Sequence, residues 1–229
     1  MKKLLLFLIF LPLLVNAQPK LDAQAYKDYR DKVASEIGHY LTVKGVELKP
    51  GLEMKTLLNI MESKGFSKSE YFDYAWEDRK AYELVGSFFS HEGCSMTIIP
   101  TSSNKDVVGV VSIKFPNETS FKRLKEIYDN LKSSLSKKYF LHESIEKFDD
   151  NYIERTTSDN LKLLALANNE GTFKSVFYLT EDPSSLMLGQ VVLVISHIKV
   201  KYDNFYYVSL NYCTSDNVLE QLISSEEDL

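Results

Sequence analysis

The chain of 229 residues is 44% hydrophobic, 26% charged and 12% aromatic. It has enough apolar side chain to fold around a core, so disorder by composition is excluded. Its 27 lysine and arginine residues against 32 aspartate and glutamate residues give a formal net charge of −5. Nucleic acid is excluded as the expected partner, because binding phosphates requires a surplus of basic side chains.

Residues 1–17 have the pattern of a secretory signal peptide. Lys2 and Lys3 precede an apolar run that extends from Leu4 to Val15, and Ala17 supplies a small side chain at the cleavage position. The run has 12 residues, whereas crossing a bilayer takes about 20. We therefore expect a periplasmic or secreted protein that has no stable membrane anchor after signal cleavage.

A helix is predicted for residues 18–38, directly after the signal peptide. Gly38 is a helix-stop signal. Because an apolar stripe would otherwise face water, the helix is predicted to dock on the main domain, residues 39–229. The apolar residues recur at steps of three and four, as on one face of an amphipathic helix; they are Tyr26, Tyr29, Val33 and Ile37.

The stretch GVELKPGLEMKTLLNIMESKGF at residues 45–66 raises the question of a phosphate-binding turn. A strand is predicted over residues 39–48, then a turn at Pro50-Gly51 and a short helix that ends at Gly65. Phosphate-binding loops have G-x-G-x-x-G spacing or a terminal Gly-Lys-Ser/Thr, and this stretch has neither. An ordinary chain turn is the favoured interpretation.

The main domain is predicted to be mostly β-structure with one long helix. Residues 71–115 alternate and break as a meander of hairpins. From Phe121 to Tyr139 a helix presents a single apolar stripe. Further strands are predicted at residues 140–145, 152–156, 161–167, 173–180, 191–200 and 205–212, the last two joined by a turn at Asp203-Asn204.

Together these elements predict an α+β fold. Asp216 or Asn217 can cap a terminal helix. The strands follow one another too closely for helical crossovers, which favours antiparallel sheets with the two main helices packed on one face. The order of elements also fits two tandem units of one helix and three to four strands, residues 39–115 and 116–229.

Two cysteines, Cys94 and Cys213, leave two arrangements open. In an oxidising compartment they can form a disulfide, but spacing does not show whether their Cβ atoms meet, and two unpaired buried thiols are the alternative. Cys94 also ends the cluster His91-Glu92-Gly93-Cys94. A polar hairpin loop is favoured there over a nucleophile or zinc site, because nothing in the sequence completes a ligand set. We predict no catalytic residue, no metal ligand and no cofactor.

Aromatic residues cluster in two of the predicted strands. Tyrosine and tryptophan are favoured at binding surfaces, and we take Tyr74, Trp76 and Tyr206 as the candidate binding surface. Cross-strand packing within an antiparallel sheet is the competing explanation. The partner that such a surface implies is another envelope protein or a glycan.

Pairs of adjacent acidic residues suggest an alternative function. Two carboxylates can divide acid and base roles across a glycosidic bond when the fold sets their separation, so a hydrolase of glycan or cell-wall substrates is the alternative. Because G-x-S-x-G and H-E-x-x-H motifs are absent from the sequence, a non-enzymatic binding or structural role in the cell envelope is favoured. The pairs are Glu77-Asp78, Asp149-Asp150 and Glu226-Glu227.

Several stretches resemble secreted proteins of Bacteroidota-type Gram-negative bacteria that carry a domain of unknown function. They are TVKGVELKPGLEMKTLLNIMESKGF, VVSIKFPNETSFKRLKEIYDNLKSSLSKKY, GQVVLVIS, YYVSLNY and a terminal EEDL. The likeness covers residues 39–229. The chain differs from that group at Pro50-Gly51, where the group has Asp-Gly, and at Phe140, where it has glycine. The resemblance implies an exported α+β protein and transfers no site residue.

Overall fold

The computed structural model describes residues 23–76 and 79–227. For residues 71, 74–76 and 225–227 it describes the backbone alone. The predicted signal peptide lies outside the described residues. Among the helices that are described, none is both long enough and apolar enough to cross a membrane.

The described residues form six α-helices, one 3₁₀ helix and ten strands. The helices are α1 (Ala23–Ile37), α2 (Met54–Ser63), α3 (Phe121–Ser136), α4 (Asn151–Arg155), α5 (Asp159–Ala167), the 3₁₀ helix (Pro183–Leu188) and α6 (Ser215–Glu227). The strands are β1 (Thr42–Val43), β2 (Val46–Glu47), β3 (Ser67–Trp76), β4 (Arg79–Phe88), β5 (His91–Pro100), β6 (Val108–Lys114), β7 (Phe140–Phe148), β8 (Gly171–Tyr178), β9 (Gly189–Val200) and β10 (Asp203–Thr214).

Eight of the strands form one antiparallel sheet in the order β3-β4-β5-β6-β10-β9-β8-β7. In chain order, α2 precedes β3 to β6, and α3 precedes β7 to β10. The last strands of the two halves meet at the centre, where β6 pairs with β10 from Lys114 opposite Ser209 to Val110 opposite Cys213. The predicted α+β fold with an antiparallel sheet is confirmed. Each half contributes four strands after its first helix, and the second half also contains α4 and α5 between β7 and β8, the 3₁₀ helix between β8 and β9, and α6 after β10.

The helix α3 packs across the face of the sheet that we call the inner face. Ser120 caps it by accepting a hydrogen bond from the backbone N–H of Arg123 at 3.4 Å, as N-cap serines do. From α2, Leu57 and Met61 join the same core, so the two main helices pack on one face, as predicted. The apolar stripe of α3 is buried throughout; it consists of Phe121, Leu124, Ile127, Tyr128, Leu131 and Leu135.

The prediction of a single strand over residues 39–48 is wrong. This segment instead contains a small hairpin in which β1 pairs with β2, and the chain reverses at Lys44 and Gly45, where φ is 50° and 77°. The sequence alternates through this region, but the reversal depends on a local turn that alternation does not reveal. After α2, Gly65 has a φ of 90° and occupies the left-handed position that ends a helix, as predicted.

The N-terminal helix α1 docks on the rest of the protein. Val33 is buried in the main core, and Arg30 Nη1 donates to Oδ1 of Asp216 at 2.9 Å, at the start of α6. The other carboxylate oxygen, Oδ2, accepts from the backbone N–H of Gly51 at 2.6 Å. The turn at Pro50-Gly51 therefore binds a carboxylate of the protein itself, that of Asp216. Asp216 joins α1, this turn and α6.

The opposite, outer face of the sheet is partly covered by the 3₁₀ helix and α6. Leu186 of the 3₁₀ helix packs against Val176, Tyr178 and Val192 of β8 and β9. Met187 packs in turn against apolar residues of α6. Leu186 lies over β8 and the first half of β9, and α6 also contacts β6 and β10. The remainder of β9 continues beyond this cover, with Ile198 and Val200 exposed.

Two strands predicted between β7 and β8 are wrong. Residues 152–156 fall in α4 and at its C-terminal cap, and residues 161–167 belong to α5. The side chains of Asp150 and Ser158 cap the two helices. The run LKLLALA suits a buried strand or a helix by periodicity alone, and packing of α5 against the core beside α3 decides for the helix.

Candidate binding surface

The two cysteines are both buried and free. Cys94 lies on β5 and Cys213 on β10, with β6 between them. Val110 of β6 lies opposite both Ile99 and Cys213, so the cysteines are offset by five residues, about 16 Å along the strands. A disulfide requires Cα atoms within about 7 Å. The disulfide does not form, and the alternative of two unpaired buried thiols is the observed arrangement.

The cluster that begins at His91 lies at the start of β5, immediately after the β4–β5 turn. Burial raises the pKa of the Cys94 thiol, and the Phe88 backbone and the charge of Lys44 offset this only in part. The thiol sulfur is 3.4 Å from the carbonyl oxygen of His91, while the imidazole packs edge-on to Phe115, with 5.3 Å between ring centroids. A thiol with a raised pKa is a poor nucleophile at neutral pH.

A serine and a lysine approach each other between α3 and β7. Lys132 Nζ donates to Ser144 Oγ at 2.9 Å and forms an ion pair with Glu146. Partial burial disfavours the ionised Glu146, but hydrogen bonds from Lys132, Ser144 and Lys125 outweigh it and lower its pKa to about 2. Lys132 therefore donates to Ser144 and pairs with a carboxylate, which differs from the arrangement of a lysine that acts as a base toward serine. This network holds α3 to β7.

The acidic pairs do not assemble a site within the described part of the chain. Asp149-Asp150 is exposed, and the Asp150 side chain caps α4. Glu77-Asp78 and the side chains of Glu226-Glu227 lie outside the described residues. Among the residues that are described, no three histidine, cysteine or acidic side chains are grouped so as to hold a metal ion.

Of the three aromatic residues predicted as a binding surface, the structure describes the side chain of Tyr206 alone. Tyr206 is only 8% exposed and lies opposite His197, with 5.1 Å between the ring centroids. Its neighbour Tyr207 points to the outer face, because successive side chains of a strand alternate. Tyr74 and Trp76 belong to β3, and their side chains lie outside the described residues. Tyr206 is therefore not part of an exposed surface.

The hairpin of β9 and β10 extends beyond the strands on either side of it. β9 pairs with β8 as far as Val194, and β10 pairs with β6 from Ser209 onward. The two strands remain paired with each other to Val200 opposite Asp203. Residues 195–208 therefore form a two-stranded ribbon that extends past both neighbouring ladders.

The tip of this ribbon is at Lys201 and Tyr202, two residues before the turn predicted at Asp203-Asn204. Lys201 has a φ of 56°, and Tyr202 is 94% exposed. On the β10 side the segment that follows β6 still borders the ribbon, because the backbone N–H groups of Phe115 and Glu118 donate to the carbonyls of Val208 and Tyr206 at 2.9 and 2.8 Å. On the β9 side, no described strand pairs with the ribbon beyond the end of the β8 ladder.

The outward-pointing side chains of the ribbon form a mostly apolar strip. Register places Ile198 opposite Phe205 and Ser196 opposite Tyr207, and residues two apart on a strand share a face. Ile198 is 44% exposed and Val200 48% exposed, whereas the two aromatic residues are half-buried. Asp203 is exposed opposite Val200 at the tip and shares this face. We call the set Ser196, Ile198, Val200, Asp203, Phe205 and Tyr207 the ribbon face.

Positive charge borders the ribbon face. Lys114 Nζ of β6 lies 4.2 Å from the centroid of the Tyr207 ring, within the range of a cation–π contact. Burial lowers the pKa of Lys114, and the nearby charge of Glu83 raises it by less. Lys201 is exposed at the tip, whereas Lys199 lies on the opposite face of β9 from Ile198 and Val200. The surface therefore combines an apolar centre with a border that contains Lys114 beside Tyr207 and Asp203 at the tip.

An alternating pattern in the sequence predicts the apolar side of the ribbon, although the clustering of aromatic residues did not identify it. Ile198 and Val200 alternate with Lys199 and Lys201, and the run ends at Tyr202. This alternation indicates a strand with one apolar side. It does not show whether another layer of the protein covers that side.

Compared with protein-family models, curated proteins and solved structures, the chain shows no significant similarity to any of them. The functional argument therefore rests on the geometry and chemistry of the described residues.

Proposed function

We propose that this protein is an exported, non-enzymatic binding protein of the cell envelope and that it binds a partner protein through the ribbon face. The observation that carries the proposal is the exposure of Ile198 and Val200, 44% and 48%, on a ribbon that extends beyond the neighbouring ladders. Contiguous exposed apolar side chains are typical of interaction sites, because leaving them in water is unfavourable.

The chemistry of the ribbon face favours a protein as the partner. Protein interfaces combine an apolar centre that contains aromatic residues with a polar border. Phe205 and Tyr207 flank the exposed pair, and Lys114 lies against the Tyr207 ring at the border. A matching partner would present apolar side chains with an acidic group opposite Lys114, because complementary charge assists encounter and sets orientation.

The cellular location is proposed from the sequence alone. The signal-peptide pattern of residues 1–17 supports export, and the resemblance to secreted Gram-negative proteins supports the same compartment. The partner is therefore sought among periplasmic, outer-membrane and secreted proteins.

Affinity capture from the native cell envelope tests the proposal, with the chain from Gln18 as bait. The variant Ile198→Thr/Val200→Thr removes apolar surface while keeping the β-branched shape that strands favour. Leu164→Gln is the matched control, because Leu164 is 53% exposed on α5, which packs against the core on the inner face of the sheet, whereas the ribbon face points outward. We expect the wild type and the control to recover the same partner and the double variant to lose it.

Two outcomes would count against this function. Capture that the double variant leaves unchanged would assign the partner to another surface. Recovery of no reproducible partner, together with turnover of a panel of glycan and cell-wall substrates, would support the hydrolase alternative.

A further inference from the structure

A pocket of about 310 Å³ lies between the β1–β2 hairpin, the C-terminal end of α3 and the β4–β5 turn. Phe88, Leu135 and Tyr139 contribute a buried apolar wall. Phe89 lines the opening and is 42% exposed. The interior is therefore suited to a small apolar group.

Two lysines, Lys44 and Lys138, also line this pocket. Lys44 Nζ donates to the carbonyl of Ser87 at 3.2 Å, and Lys138 Nζ donates to the hydroxyl of Thr42. Both acceptors are neutral, and none of the residues lining the pocket is acidic. Two ammonium groups beside an apolar wall, without a carboxylate between them, produce a positive potential that attracts an anion.

The backbone at the pocket opening has a conformation that bulky residues avoid. Phe88 pairs with His91, so Phe89 and Ser90 form a two-residue turn, and their φ angles are 45° and 65°. Such turns favour Asn-Gly, because both central residues need a positive φ. The Phe89 ring nevertheless packs on Phe88, with 5.0 Å between centroids. Strained positions of this kind concentrate at functional sites.

We propose that this pocket binds a small organic acid, with its carboxylate at the Lys44 and Lys138 ammonium groups and an aromatic ring or short alkyl chain on the apolar wall. The volume is near the lower limit for small-molecule pockets, about 300 Å³. The ligand is therefore a single-ring or short-chain acid.

This site is separate from the ribbon face. Tyr212 lines the pocket and is five residues from Tyr207, the nearest residue of the ribbon face on β10, about 16 Å along an extended strand. It also belongs to the buried core on the inner face, whereas the ribbon face points outward. Acid binding and partner binding can therefore fail independently.

The test is an NMR titration of the protein with phenylacetate and hexanoate, compared with the neutral phenylacetamide and hexanamide. The Leu135 methyl signals report on the pocket wall. Lys44→Met and Lys138→Met remove charge while keeping a long side chain. Lys137→Met is the matched control, because Lys137 is an exposed neighbour that does not line the pocket.

We expect the acids to shift the Leu135 signals and to bind more tightly than their amides. Each pocket lysine variant should weaken acid binding about fivefold, since one partly exposed ion pair is lost, and Lys137→Met should leave it unchanged. Circular dichroism checks that the variants are folded. The proposal is overturned if no probe binds at about 10 mM, if the amides bind as well as the acids, or if inorganic phosphate binds as tightly as phenylacetate.

Discussion

The hydroxyl groups of Tyr128 and Ser175 lie 2.7 Å apart, although neither side chain has exposed surface. Ser175 Oγ is also 2.9 Å from Ser144 Oγ, and Ser144 donates to the Glu146 carboxylate. An ionised carboxylate only accepts, and each hydroxyl has a single proton. The donors are therefore ordered from Tyr128 to Ser175 and from Ser175 to Ser144, in a hydrogen-bond chain from α3 through β8 to β7.

This order predicts unequal effects for two conservative substitutions. Ser175→Ala removes the acceptor of the buried Tyr128 proton, and we expect a loss of about 1–3 kcal/mol in the free energy of unfolding. Tyr128→Phe leaves Ser175 bonded to Ser144, and we expect a loss of about 1 kcal/mol. Urea unfolding of both variants and of the double variant measures the difference and the coupling. Equal losses, or a larger loss for Tyr128→Phe, would contradict the donor order.

Glu146 makes stability depend on acid pH. Partial burial opposes its ionisation, but hydrogen bonds from Lys132, Ser144 and Lys125 hold its folded-state pKa at about 2, below the ordinary value of 4.5. Its contribution to stability is therefore present above about pH 4.5 and is lost as the pH falls toward 2. The Glu146 side chain is 22% exposed, so we expect a contribution on the order of 2 kcal/mol after allowing for solvent screening.

The measurement is urea unfolding between pH 7 and pH 2 for the wild type and Glu146→Gln. The two should differ most near neutral pH and converge as the pH falls. Glu126→Gln is the matched control, because Glu126 forms an exposed ion pair with Arg123 on α3, the helix that also carries Lys125 and Lys132, and such pairs contribute little. A constant difference between wild type and Glu146→Gln across the pH range would refute the assignment.

Substitutions at Phe89 test two features of the β4–β5 turn: the strain of its positive φ and the contribution of the Phe89 ring to ligand binding. Phe89→Asn and Phe89→Ala both remove the ring, but asparagine tolerates a positive φ better than alanine. We therefore expect Phe89→Asn to unfold with a free energy about 0.5–1 kcal/mol higher than Phe89→Ala. Both should weaken phenylacetate binding. Thermal unfolding and the NMR titration provide the two readouts, and an alanine variant as stable as the asparagine variant would argue against strain at this turn.

The two thiols should be unreactive in the native protein and free after unfolding. Burial raises the pKa of Cys213 to about 12, and burial also raises the pKa of Cys94, so neither thiolate forms readily at neutral pH. Titration with a thiol reagent should find two thiols in guanidinium without reductant and none within minutes in buffer. If addition of a reductant to the unfolded protein released further thiols, the cysteines would be bonded in the native chain.

Much of the fold followed from local patterns in the sequence. The helix α3 was predictable because its apolar residues return every three or four positions and Ser120 supplies a cap. The end of α2 was predictable because a glycine, Gly65, follows the helix and takes a positive φ without strain, as other residue types do not. Each of these features depends on residues within a few positions of one another.

The segment between β7 and β8 could not be assigned in the same way. LKLLALA is apolar on most sides, so neither a period of two nor one of 3.6 dominates it. Its helical form depends on packing into the core next to α3, which is a contact between residues far apart in the chain. Local propensity is too weak to decide such a case, because tertiary contacts override it.

The sequence by itself determined an antiparallel α+β protein with a long amphipathic helix, because periodicity and capping act over a few residues. Only the tertiary structure decided that Tyr207, and not Tyr206, belongs to the outer face, because pairing register sets which alternate residues point outward. It likewise decided that Cys94 and Cys213 stay apart and that Ile198 and Val200 remain uncovered. Both outcomes depend on the order in which distant strands pair.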